Sequence, residues 1–521
     1  MSEYTKYKDS ALSPEERAED LLSRMTLREK IAQLDMKFGS NYCTEKEEND
    51  NCSVKETSDY NWDLMKKDFP DGLGYVHDNY SVPAVMNKVQ KFFIENSRLG
   101  IPVIFTGEAL HGICGTRGTV LPIPTAWAAT FEPKYAYEAG RIIASEARAL
   151  GLFEVLSPNL DVARDPRWGR TEETFGEDTC LSSKMAIQIC KGHQNDDISA
   201  IDTVISEPKH YCVHGIPEAG VNCGTARAGV REIESYYLPV FEAAIKEGGA
   251  YDVMVSYNSI DGDLLMTSKH YLKEVLKKRF GLKGICRSDW GGLRRVHYLH
   301  KMAKNEKEGI YLSKKNGLDC QGGDEYPNRI WVDSLEELVN EGRLDVENIN
   351  ESCRRVLTLK FKLGLFENPY TDENRYKEII NCKPHLDKAL EIAQKSVILL
   401  KNNGILPLKK EKYKKIALIG PSSYTIRLGG YSAKTFRRKL DTIYDVLKTE
   451  LPDVEILQCD GCGISDGDFE FALSDQHHLQ GITAEKKNEN IDEAVKITEQ
   501  CELVIFCGGD DTISSGEGRD R

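Results

Sequence analysis

The sequence predicts an α/β protein: a (β/α)8, TIM-like barrel first, then a smaller open parallel sheet with helices on its faces. Two observations predict this. From residue 100 short apolar runs recur about one β-α unit apart, each ending in a polar or ionisable group. Buried parallel strands whose functional ends gather on one face of a barrel give that pattern. After residue 366 a polar stretch with two prolines leads into three further apolar runs separated by helical patterns, the signature of a second α/β layer structure. At a soft prior of ~150 residues per domain, 521 residues suggest two to four domains.

The elements follow in chain order. Ser13-Pro14-Glu15-Glu16 is a helix start: a capping residue, proline at the first position, then acids at the positive end of the dipole. Thr26 to Glu29 repeats a capping-box pattern. The first 100 residues otherwise read as helical and charged. Residues 40–60 read as a polar, aperiodic surface loop with Cys43 and Cys52 as free thiols. The apolar run 102–106 then ends at Glu108, and 153–160 ends at Asp161. Run 204–207 leads to Lys209-His210, 252–256 to Tyr257-Asn258, 284–288 to Asp289-Trp290, and the short 317–318 to Asp319. Residues 134–151 and 229–247 are helical, and 334–366 read as helices closing a barrel domain of residues 1–366. Residues 367–405 form a linker. The second domain, 406–521, has strand-like runs at 416–420, 454–457 and 503–506, with helices at 440–451 and 491–501. Three strands are few for such a sheet, so it is expected to be truncated at residue 521.

Apolar residues make up 40% and charged residues 29%, enough for a large core and against a mostly disordered chain. Lys and Arg number 69 against 83 Asp and Glu, a net charge of −14. That charge repels nucleic-acid phosphates and anionic membranes and favours a neutral substrate. No run approaches the ~18 apolar residues of a membrane span. No signal-peptide pattern opens the chain. The 15 cysteines are odd in number and read as mostly free thiols, so a cytoplasmic location is expected.

Several motifs carry little chemistry. Gly461-Cys462-Gly463 with Gly467 has the wrong spacing for a dinucleotide loop. Cys459 and Cys462 are a lone C-x-x-C without the second pair that zinc needs. His297 with His300, and His477-His478, lack further ligands at metal spacing. Three segments are different. Residues 158–178, PNLDVARDPRWGRTEETFGED, combine arginines, carboxylates and a tryptophan where a loop should be. Fixed donor and acceptor arrays beside a flat apolar face suit sugar hydroxyls and a sugar ring. Lys209-His210-Tyr211 and Ser288-Asp289-Trp290 stand at two other strand ends.

These segments resemble glycoside hydrolase family 3. The resemblance runs through MTLREKIAQL near the N-terminus, GEALHG at 107–112, DVARDPRWGRTEETFGED at 161–178, KHY at 209–211, MVSYNSIDG at 254–262 and GLKGICRSDWGG at 281–292. It continues in GRLDVENIN at 342–350, LLKNNGILPL at 399–408, ALIGP at 417–421 and GEGRDR at 516–521. It implies a barrel followed by an α/β/α sandwich. It implies Asp289 as nucleophile and makes Glu517 the best candidate acid/base, with Asp510 and Asp511 as runners-up. Arg170, Lys209 and His210 match residues that bind sugar hydroxyls, and Tyr257 the residue beside the nucleophile. Glu108 matches an acid gripping distal hydroxyls, and Trp290 part of the pocket wall. The retaining chemistry needs an ionised carboxylate below the anomeric carbon and a second carboxyl that gives and takes a proton, so no cofactor or metal is expected. A general acid also needs a raised pKa, which closed, apolar surroundings would give Glu517.

One departure is informative. The bacterial N-acetylglucosaminidase branch carries K-H-F-P-G-H-G, whereas here the loop reads Lys209-His210-Tyr211-Cys212-Val213-His214-Gly215. The exo-acting glucosidase/xylosidase branch is therefore expected: a retaining exo-β-glycosidase, β-glucosidase first, acting on non-reducing ends of short glycosides. The alternatives are a β-xylosidase, since Glu108 rather than Asp could fill the space of a C6 hydroxymethyl, and a non-catalytic sugar-binding remnant. A nucleotide-binding second domain is a weaker reading. The expected partner is a small neutral oligosaccharide or glycoside, not nucleic acid or membrane, with a homo-oligomer left open.

Overall fold

The computed structural model describes residues 5–48, 50–115, 118–323, 329–433, 440–462, 484–510 and 515–519. The loop glycines at 463 and 467, His477-His478 and Asp511 lie outside them. The N-terminal helix Pro14–Arg24 starts as its sequence requires. Ser13 accepts from the Glu16 amide, and Glu16 reaches back to the Ser13 amide. Thr26 and Glu29 close a second capping box on helix Leu27–Ala32.

The barrel strands are short. They are β1 (Met36–Phe38), β2 (Tyr75–His77), β3 (Ile104–Gly107), β4 (Glu154–Val155), β5 (Ile205–Ser206), β6 (Val253–Val255) and β7 (Cys286–Ser288). β1 through β5 pair in parallel in that order. Beyond β5 the Met254 amide donates to Pro208, and β6 pairs in parallel with β7. A bridge from Arg287 to Cys320 adds the last position, and the Gln321 amide returns to the Leu34 carbonyl. The expected barrel is therefore present, but its first two strands lie where the sequence reads as helix. The charged, helix-capped sequence around them, with Lys37 and His77 inside the strands, reads as helix throughout. The segment 40–60 also differs from a surface loop. Lys46–Glu47 pairs antiparallel with Asp50–Val54, and Tyr42, Val54 and Tyr60 are buried. All 15 cysteines, Cys43 and Cys52 among them, are free thiols.

Barrel interiors are normally filled with branched apolar side chains. This one also holds Arg287, Glu154 and Glu207, each fully buried. The Arg287 guanidinium donates to Glu154 at 2.7 and 2.8 Å, lies 3.1 Å from Glu207, and covers the Tyr75 ring at 4.2 Å. Asp319, the last predicted strand end, is likewise structural. It accepts from Lys277 at 2.7 Å and from Ser352 at 2.6 Å. Burial alone would raise its pKa, but Lys277, Lys314 and Arg355 hold it well below the usual carboxylate range.

The linker residues carry a helix, Lys383–Ser396, that packs on barrel helix Lys134–Leu150. Tyr135 donates to Glu391 at 3.0 Å, and Lys388 pairs with Glu138. In the second unit β8 (Lys415–Ile419) lies between β9 (Glu455–Cys459) and β10 (Leu503–Phe506), all parallel. Small apolar clusters cover both faces: Tyr413, Ile416, Leu451, Val454 and Leu503 on one, Ala417, Ile419 and Cys459 on the other. Helices Ile443–Glu450 and Ala484–Thr498 connect the strands. Val397, Leu400, Val504 and Phe506 remain exposed.

The buried ion cluster sets a stability test. Arg287→Met fills the volume but leaves Glu154 and Glu207 buried without their cation. Breaking a buried pair in this way costs about 3–5 kcal/mol. A urea unfolding midpoint should fall accordingly, and a change below about 1 kcal/mol would mean that the two acids are neutral without Arg287.

Candidate active site

The site is built where β3, β4, β5, β6 and β7 end. Glu108, Asp161, Lys209, His210, Tyr257 and Asp289 each follow one of these strands, so all lie on the C-terminal face. The structure brings the predicted residues together. Lys209 Nζ donates to Glu108 Oε2 at 2.6 Å, and the Glu108 amide donates to the Tyr80 hydroxyl oxygen at 2.7 Å. His210 Nδ1 contacts Asp161 Oδ2 at 2.8 Å, while its Nε2 lies 3.6 Å from Asp289 Oδ2. The Asp289 carboxylate takes the Trp290 amide on Oδ1 at 2.6 Å, and its other oxygen has no hydrogen-bond partner. Tyr257 donates to the Trp290 carbonyl at 2.9 Å, and the Trp290 ring tilts against Phe38. His214, also buried, packs edge-on to His210 and Trp168, with both ring nitrogens unpartnered.

Arg170 comes from the short helix Gly169–Glu173 in the loop after β4. Its Nε and Nη2 clamp Glu173 at 2.8 and 2.9 Å. Its remaining nitrogen lies 3.4 Å from Glu517 Oε1. Glu517 belongs to the second unit and is half-buried over the barrel mouth. Its other oxygen accepts from the Tyr431 hydroxyl at 2.6 Å. Asp510, by contrast, is exposed.

Two loops of the second unit are docked by barrel residues. The Gly516 amide donates to the Gly169 carbonyl at 2.7 Å. A Cβ at Gly169 would lie 2.3 Å from the Gly516 and Arg519 carbonyl oxygens, so only glycine permits this approach. In the other loop the Gly430 amide donates to Glu172 at 2.7 Å, and His111 Nε2 contacts the Gly430 carbonyl at 2.8 Å. Gly115 bridges Ala433.

Burial and like charge move the titrations. Burial first, and the neighbouring Glu517 charge second, raise Asp289 to about 6. Burial would raise Glu517 too, but Arg170 and the Tyr431 hydroxyl outweigh it and bring it to about 2. That reverses the expectation of a raised Glu517, because its surroundings are cationic and hydrogen-bonding rather than apolar. Burial pushes Asp161 up and His210 well down, so neither partner of that pair is readily charged. Burial, reinforced by Arg170, lowers His214 to about 3.

Sequence reading missed Tyr431 and Glu173 and named Asp161 only as a strand end. Tyr431 stands alone among small residues in GGYSA and gave no signal. Glu173, three residues after Arg170 on one helical turn, is the spacing of a local ion pair and was readable.

The sequence model of the glycosyl hydrolase family 3 N terminal domain matches residues 26–359, and that of the family's C-terminal domain matches residues 397–521. The chain is 30% identical to the periplasmic beta-glucosidase of Salmonella typhimurium over 98% of its own length and 65% of that protein's. It is 32% identical to a beta-xylosidase of Formosa agariphila over 82% of itself and 59% of that protein. It thus spans well under the full length of these curated relatives. Among solved structures, a β-glucosidase from Erythrobacter marinus superposes with a TM-score of 0.86 at 30% identity, covering 99% of this chain and 69% of that one. A Listeria innocua beta-glucosidase in complex with glucose gives 0.81 at 27%, covering 97% and 66%.

The close approach at Gly169 is testable without any substrate. Gly169→Ala should expel the 515–519 loop and expose the Gly516 amide to exchange. Hydrogen exchange resolved to that peptide should then speed by more than tenfold while barrel amides keep their protection. Unchanged exchange would mean that the loop is held elsewhere.

Proposed function

The chain belongs to glycosyl hydrolase family 3, and from that premise we propose that it is a retaining exo-β-glycosidase, a β-glucosidase first, hydrolysing terminal residues of small neutral glycosides. One observation carries the reading. An Asp289 oxygen without a partner stands at the barrel mouth, and a second carboxyl, Glu517, is brought over it from another unit on Arg170 and Tyr431. Two carboxyls flanking a sugar are what double displacement requires.

In this reading Asp289 attacks the anomeric carbon as Glu517 protonates the departing oxygen. Water, deprotonated by Glu517, then releases the sugar from Asp289. Lys209, Glu108, Arg170, His210 and Asp161 offer charge-assisted partners to the sugar hydroxyls. The pair titrates with apparent values of about 2 and about 6, so between them it holds a single proton. The productive form has that proton on Glu517.

A second reading, β-xylosidase, has a specific support. Glu108 is held by Lys209 with its longer side chain reaching into the site, which suits a sugar lacking a C6 hydroxymethyl. The third, a sugar-binding remnant, would show glucose binding in a thermal-shift experiment without turnover of an aryl glucoside.

The carboxyl roles are separable by leaving group. Asp289→Ala should abolish turnover of aryl β-glycosides with the fold intact. Glu517→Ala should slow poor leaving groups by roughly 10²–10⁴-fold, spare the first step for acidic phenols, and be rescued by azide. Equal losses for good and poor leaving groups, unmoved by azide, would remove Glu517 from the role. Specificity has its own test. Glu108→Asp should move the glucoside-to-xyloside ratio of kcat/KM towards glucosides by roughly 10-fold, since a methylene-sized fit is worth about 1–3 kcal/mol. A ratio constant within about twofold would place the discrimination elsewhere.

A further inference from the structure

We propose that Tyr431 is the positioning residue of Glu517: its hydroxyl fixes one carboxyl oxygen and leaves the other to face Arg170 and the reacting bond. The proposal rests on the reading of Glu517 as acid/base. The geometry is unusually constrained for a side chain at the rim of a site. The Tyr431 hydroxyl donates to Glu517 Oε2 at 2.6 Å, within the range of a charge-assisted O–H···O⁻ bond. The tyrosine ring is itself held from below. Lys209 Nζ lies 5.0 Å from its centroid and the Arg170 guanidinium 5.7 Å, both cations of the barrel mouth.

The backbone carrying Tyr431 is anchored on either side. Gly430 is bound through its amide to Glu172 and through its carbonyl to His111, and Ala433 bridges to Gly115. Tyr431 has φ +53, a left-handed conformation that a tyrosine adopts only where its surroundings hold it. The barrel therefore sets the position of Tyr431, and Tyr431 sets that of Glu517, although both belong to the second unit. Arg170 alone could not do this, because two of its nitrogens are committed to Glu173 and the third is 3.4 Å away.

A hydroxyl that donates to a carboxylate favours its ionised form, so Tyr431 also sets where Glu517 titrates. The other groups facing Glu517 are Arg170, Lys209 and His214, together with Asp289, Tyr257 and the Cys223 thiol. All of them remain when only the Tyr431 oxygen is removed.

The test is Tyr431→Phe in the full chain, which keeps the ring over Lys209 and Arg170. The Glu517 carboxyl carbon, assigned by its loss in Glu517→Gln, is followed by ¹³C NMR against pH. In the wild type Glu517 should stay ionised to the lowest pH at which the fold survives. In Tyr431→Phe its titration should rise by about one to two pH units, the worth of a hydrogen bond to a charged group. The acid limb of kcat/KM should move up with it while the limb near pH 6 stays. If Phe does not fold, Met at 431 also removes the hydroxyl and should give the same shift. An unchanged Glu517 titration in a folded variant overturns the proposal. The titration needs no substrate, so a wild-type chain without turnover would overturn the glycosidase reading separately.

Discussion

Arg170 has two nitrogens on Glu173 and a third turned to Glu517, and in that one guanidinium the two halves of the site meet. A fully buried cation is tolerable only when its fork is answered by carboxylates. Glu173 supplies the permanent answer from the same short helix. Glu517 supplies the remainder from a loop more than three hundred residues later in the chain. The residue before Arg170 must then be glycine, since any side chain there would strike the carbonyls that deliver Glu517. Cation, close approach and the far carboxyl are thus one constraint, and it explains why a single stretch of loop concentrates so much chemistry.

The barrel contains charge at two levels. Deeper in, Arg287 forms ion pairs with Glu154 and Glu207, sealed from solvent, although Arg287 Nε and both Glu207 oxygens make no hydrogen bond there. At the mouth, Asp289 Oδ2, both His214 nitrogens and one Arg170 nitrogen are buried without hydrogen-bond partners. Buried polar groups are seldom left so. Among the described residues no cluster of acids, histidines and thiols is arranged to hold a metal.

How much of this was legible depended on the length of the signal. Asp289, Lys209 and His210 stand after strands that are apolar runs with sharp polar ends, and both the strands and the ends were readable. β1 and β2 were not, because the charged, helix-capped sequence around them reads as helix throughout. The same rule misread Asp319, a polar strand end that faces Lys277 and Ser352 instead of the site. Position after a strand is visible in sequence, but the side to which a side chain turns is a tertiary fact. Glu517 was reachable only through the resemblance of its segment, and Tyr431 not at all, because its role is a contact between two loops separated by 86 positions.

In the proposed mechanism Glu517 must carry the proton and Asp289 the charge, the reverse of the order in which their contacts titrate them. Arg170 and Tyr431 hold Glu517 ionised, and the Glu517 charge then helps to raise Asp289. The two values are therefore properties of the pair. A sugar hydroxyl bound at the third Arg170 nitrogen, as in the proposed function, would compete with Glu517 for it and weaken the contact that lowers the Glu517 pKa. As Glu517 gains the proton, the like charge beside Asp289 disappears and Asp289 ionises more easily. Both changes run in the direction that the proposed double displacement requires.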